Sequence, residues 1–93
     1  MPRYLVERDY GLVDEDEMQE IALLSKSSLE HFPDIVWEHS HVCVDDAGVI
    51  TSFCVYDAPS EQRVREHAER LGRHAVRGIH EVIGDIDPRD LGV

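Results

Sequence analysis

The chain has 93 residues and a mass of 10.6 kDa, with 20 acidic against 9 basic side chains and a formal net charge of -11. A chain this short buries roughly 60–65% of its unfolded surface, which allows one modest core and a single domain over residues 1–93. The charge has the wrong sign for gripping nucleic-acid phosphates or an anionic membrane surface, so neither is an expected partner. A hydrophobic content of 42% is too high for a disordered acidic tail, and no apolar run approaches the ~20 residues of a membrane span. The first eight residues, Met1 to Arg8, carry charge where a secretory signal needs an apolar run, so a cytoplasmic location is expected.

Tyr4 to Glu7 is a short stretch of β-forming residues, closed by Asp9 and Gly11. Asp14 then has the chemistry of an N-cap, with Glu17 three residues on to complete a capping box and Val13 and Met18 placed as a hydrophobic staple. The acids Asp14 to Glu17 suit the positive end of a helix dipole. Met18, Ile21, Ala22, Ser25 and Leu29 recur at helical spacing, which predicts an amphipathic helix of about four turns, ended by Pro33. Ile35 to Val44 and Val49 to Tyr56 read as two strands joined at Asp45-Asp46-Ala47-Gly48, a hairpin turn. Pro59-Ser60 opens a second helix carrying Val64, Ala68 and Leu71, with Gly72 near its end. Ile79 to Ile86 reads as a last strand before Asp87-Pro88. The order β-α-β-β-α-β is that of an α+β, ferredoxin-like sandwich, a four-stranded antiparallel sheet with two helices on one face.

Two cysteines, Cys43 and Cys54, are too few for a disulfide scaffold, and no CxxC pair or Gly-rich phosphate loop is present. The unusual feature is six histidines. In a strand, residues two apart point to the same face roughly 6.5–7 Å apart, so His39 and His41 are able to converge on one ion. Imidazole nitrogen suits nickel, copper and zinc. If Val44 pairs with Val49, His41 faces Ser52 and His39 faces Cys54. Trp37, His39, His41, Cys43, Ser52, Cys54 and Tyr56 would then share one face, and Val36, Val42, Val44, Val49, Phe53 and Val55 the other. The second set is the more apolar and is expected under the helices. The first, bearing Trp37 and Tyr56, is expected to be free and to form a homodimer interface. The plainer reading of His39 and His41 is two polar residues on a half-exposed strand. His67 lies near the buried edge of the second helix, as a third metal ligand or as a core-edge histidine bonded to a neighbour such as Tyr56. His31, His74 and His80 read as surface residues, with His31 at the negative end of the first helix. Glu38 and Asp57 are candidate oxygen ligands without distinctive spacing, and the two cysteines are candidate thiolates that more commonly pack as small apolar groups.

Several stretches together resemble a known family: Arg3 to Arg8, Trp37-Glu38-His39-Ser40-His41, Cys54 to Pro59, Arg65-Glu66-His67-Ala68, and Ile79-His80-Glu81-Val82 running to Ile86-Asp87-Pro88. In order and spacing they are similar to the short bacterial ferredoxin-like proteins, formerly an uncharacterised domain family, often labelled nickel-binding. The resemblance implies a ferredoxin-like fold, a homodimer, and nickel or another transition metal in at least one member. Two departures fall at the expected site: position 41 is His where many relatives are expected to carry Tyr, and the Val42 to Phe53 hairpin is longer.

Residues and resemblance together predict a transition-metal binding protein, nickel foremost with zinc or copper as other divalent candidates, acting as a homodimer through its sheet face, with His39, His41 and His67 as the ligand set. The alternative is a small cofactor-independent enzyme of the dimeric ferredoxin-like type, a monooxygenase or isomerase, with His67 as general base beside Tyr56 and Trp37. No Ser/His/Asp order or paired catalytic carboxylates support that alternative, so a non-enzymatic role is expected. A third reading is an interaction module whose sheet face binds a partner.

Overall fold

In a computed structural model describing residues 1–92, the chain runs β1 (Arg3–Gly11), α1 (Glu15–Leu29), β2 (Val36–Val44), β3 (Ile50–Asp57), α2 (Glu61–Leu71) and β4 (Ala75–Val82), followed by a 3-10 turn, Pro88–Leu91. The strands form one antiparallel sheet in the order β2-β3-β1-β4. This is the expected ferredoxin-like arrangement.

Both helices start where side-chain chemistry says they should. Asp14 Oδ1 accepts the Glu17 N–H at 2.7 Å, and Glu17 Oε1 accepts the Asp14 N–H at 3.4 Å, a complete capping box. Ser60 Oγ accepts the Arg63 N–H at 3.3 Å, and Gly72, at φ +63°, ends α2. Helix α1 buries Ile21, Ser25 and Ser28, while α2 buries Val64, His67, Ala68 and Leu71. The sheet supplies Tyr4, Val6, Cys54 and Tyr56 to the same core, and the connections add Phe32, Ile35 and Ala58. Arg63 ties α2 to the loop after α1: its Nε and Nη2 donate to both Asp34 oxygens at 2.8 Å, and its guanidinium lies over the Phe32 ring.

Three expectations are corrected. Strand β1 extends to Gly11, beyond the predicted Glu7, because β3 and β4 both pair along its length. The last strand is Ala75–Val82 rather than Ile79 to Ile86. Pairing runs from Asp9↔Ala75 to Arg3↔Val82 and stops where β1 begins, which leaves Ile83 and Ile86 unpaired and 96% and 81% exposed.

The third correction concerns the hairpin faces. Val44 pairs with Ile50, not Val49, because the turn holds one residue more than expected. Asp45 Oδ1 accepts the N–H groups of Ala47 and Val49, both at 2.9 Å, and Gly48 adopts φ +84°. A one-residue slip turns every side chain over relative to its partner. His41 therefore faces Phe53, and His39 faces Val55. A bulge between Trp37 and His39 then restores Trp37 opposite Tyr56. As a result Trp37, Ser52, Cys54 and Tyr56 face the helices, while His39 and His41 share the open face with Phe53 and Val55.

Candidate functional site

The open face is laid out in cross-strand rows. One row runs His39, Val55, Leu5, His80; the next runs His41, Phe53, Glu7, Gly78. An apolar centre of Leu5, Phe53 and Val55 is thus flanked by two imidazoles on the edge strand β2 and one on the edge strand β4. His39 and His41 are both exposed, and their ring centroids lie 5.4 Å apart at an interplanar angle of 76°. The separation leaves room for an ion bridging two ring nitrogens after small rotamer changes. On the opposite edge, the His80 Nε2 sits 2.9 Å from where a Cβ at position 78 would be, so Gly78 is the residue that admits the His80 ring.

The turn register places His39 and His41 outward, and the bulge beyond them, which turns Trp37 to the helix side, carries Glu38 in an ion pair the sequence does not advertise. Glu38 accepts from Arg3 Nε at 2.7 Å and from Nη2 at 3.2 Å, reaching across β3 to β1. Arg3 also pairs with Asp85 and lies 4.0 Å from Asp57. The Arg3 hydrogen bonds hold the Glu38 carboxyl below its ordinary pKa. Glu38 is therefore occupied as an anchor rather than offered as an oxygen ligand.

His67 lies on the other side of the sheet. It is fully buried, with Nδ1 3.0 Å from Ser28 Oγ and its ring against Phe32 and Tyr56 at centroid distances of 5.7 and 5.6 Å. Burial, reinforced by the positive charge of Arg8, lowers its pKa to about 4. It is a neutral core histidine near pH 7, and the structure does not bring it to His39 and His41. Tyr56 is equally enclosed, and burial pushes its phenol pKa up. A catalytic part for this pair requires a substrate that reaches two fully enclosed rings.

The remaining candidates sit apart. His31 bonds Arg70 at 2.9 Å, and His74 Nδ1 meets the Gly72 carbonyl at 2.6 Å. Cys43 is exposed on the open face and Cys54 is buried beneath the sheet, so both thiols are free. Among the described residues, no three His, Cys, Asp or Glu side chains gather closely enough to hold an ion.

The sequence matches the family described as nickel responsive protein SCO4226-like over residues 4–82. The chain belongs to that family. A similar solved structure is SCO4226 from Streptomyces coelicolor A3(2), 22% identical, with a TM-score of 0.67 over 90% of this chain and 99% of that one. The C-terminal domain of the MgtC protein from Mycobacterium tuberculosis superposes with a TM-score of 0.61 at 11% identity, over 90% of this chain and 88% of that one. At these identities both likenesses establish the ferredoxin-like fold. No curated protein matches the sequence. Among the described residues, no helix is long and apolar enough to cross a membrane.

Proposed function

We propose that this member of the nickel responsive family binds a divalent transition metal, nickel foremost, through His39 and His41, and does so as a homodimer closed over the open sheet face. The observation that carries the reading is the exposed imidazole pair with its rings 5.4 Å apart. Nitrogen donors suit nickel, with copper and zinc as competitors, and the net charge of -11 favours accumulation of a dication near the surface. His67 keeps its place in the core.

Two imidazoles do not fill a coordination sphere of four or more donors. The remaining positions fall to water or to a second copy, and the open face gives a reason for a second copy. Half-buried Leu5 and Phe53, beside the already buried Val55, leave apolar surface that two copies would bury mutually, about 10 Å from sheet to sheet. A two-fold axis along the strands sets β2 of one protomer over β4 of its partner and brings His80 toward His39 and His41. An axis across the strands sets β2 over β2 and joins two His39/His41 pairs.

Calorimetric titration of untagged, metal-free protein with nickel tests the proposal. Binding is expected below millimolar metal, weakened at least about tenfold in the His39→Ala/His41→Ala variant. Unchanged affinity in that variant, or no binding below millimolar nickel, overturns it. His80→Ala weakens binding only if the axis runs along the strands.

A further inference from the structure

Arg8 lies beneath the sheet on the helix side, 1% exposed, and no carboxylate of the described residues pairs with it. Its Nε and Nη2 groups have no hydrogen-bond partner, and neither do the buried Tyr56 hydroxyl and His67 Nε2. The three side chains stand in series: the guanidinium carbon is 5.4 Å from the Tyr56 ring centroid, and that ring is 5.6 Å from His67. A guanidinium remains charged in a protein interior, and a buried charge without a counter-charge is among the costliest groups a core can hold. Nε–H and Nη2–H lie along one edge of the planar fork, the edge that receives both oxygens of a carboxylate.

Beside Arg8 is a cavity of about 50 Å³, several times the roughly 10–15 Å³ that admits one water. Arg8, Ser25 and Ser52 supply polar walls, while Met18, Trp37 and Val42 supply apolar ones. Met18 and Val42 also border a wider groove of about 260 Å³ between the start of α1 and the tip of the β2–β3 hairpin. One buried cation in a largely apolar lining fits a ligand with a single negative charge and an apolar tail. A phosphate would leave most of its oxygens against hydrocarbon.

We propose that this cavity binds a small monocarboxylic acid, its carboxylate against the Arg8 guanidinium and its tail running past Trp37 and Met18 toward Val42. The site is separated from His39 and His41 by the thickness of the sheet and does not rest on the metal reading. Trp37 is the sole tryptophan and lines the cavity, so its fluorescence reports occupancy. Titration of the unaltered protein with hexanoate should give a saturable change, with affinity at least about tenfold above that for 1-hexanol. Arg8→Met should weaken hexanoate at least about tenfold while leaving 1-hexanol unchanged. Equal affinity for acid and alcohol, no saturable change up to about 10 mM hexanoate, or equal competition by inorganic phosphate overturns the proposal. The acid-to-alcohol ratio is read on the unaltered protein, so the test stands even if Arg8→Met fails to fold.

Discussion

His67 sits where protonation works against folding. Its pKa is about 4 in the folded protein against an ordinary 6.5, so the unfolded chain binds the proton more readily. Its stabilising contribution is complete above pH 6.5 and is lost as the pH falls from 6.5 toward 4. A shift of that size corresponds to a loss on the order of 3 kcal/mol at full protonation. His74, whose pKa burial also lowers, contributes with the same sign. Urea unfolding at pH 7, 5.5 and 4.5 should show the decline, with a shallower slope in His67→Gln; an unchanged slope would place the titration elsewhere. The burial of His67 follows from its spacing between Val64 and Leu71 and was legible before folding. The role of Arg8 was not, because a strand with Tyr4, Val6 and Arg8 on one face looks like a buried stretch that ends at a charge.

Elements with local determinants formed where their own residues dictate. Asp14, Glu17 and Ser60 cap their helices through side chains at most three residues away, so sequence spacing alone locates these ends. Asp14→Ala should cost about 1 kcal/mol, seen as a fall in thermal midpoint of about 4–8 °C, because the Glu17 N–H at the start of α1 loses its acceptor. The hairpin is held by Asp45 and by Gly48 at φ +84°. Gly48→Ala should destabilise by roughly 1 kcal/mol in urea unfolding, with faster amide exchange at the tip of β2 and β3. Both hairpin faces carry apolar residues, so alternation could not choose between two registers. The choice fell to the Asp45 carboxylate, which draws one more residue into the turn. The shifted position of β4 has a similar origin: Ile83 and Ile86 look strand-like, but β1 offers them no partner.

At the scale of the molecule, the proposed dimer would couple assembly to metal binding through the open sheet face. Sedimentation should give a species of twice the 10.6 kDa chain mass. Phe53→Glu should shift it to monomer, because the change places a carboxylate in the strip formed with Leu5 and Val55. If nickel is held between copies, that variant also loses nickel affinity although His39 and His41 are intact. A monomeric Phe53→Glu that binds nickel normally would show that each chain holds its metal alone. The Arg3–Glu38 pair spans the same sheet, joining β1 to the bulged residue of β2.

The sequence by itself determined the element order, the helix caps, the ferredoxin-like class and the placement of His39 and His41 on one side of a strand. Each of these rests on interactions within a few residues or on a simple period. Only the tertiary structure decided which side of the hairpin the helices cover, that Trp37 and His39 part company at a bulge, and that Arg8 is enclosed without a counter-charge. Those outcomes depend on pairs far apart in the chain, such as Arg3 with Glu38 and Val6 with Cys54, and no local pattern encodes them.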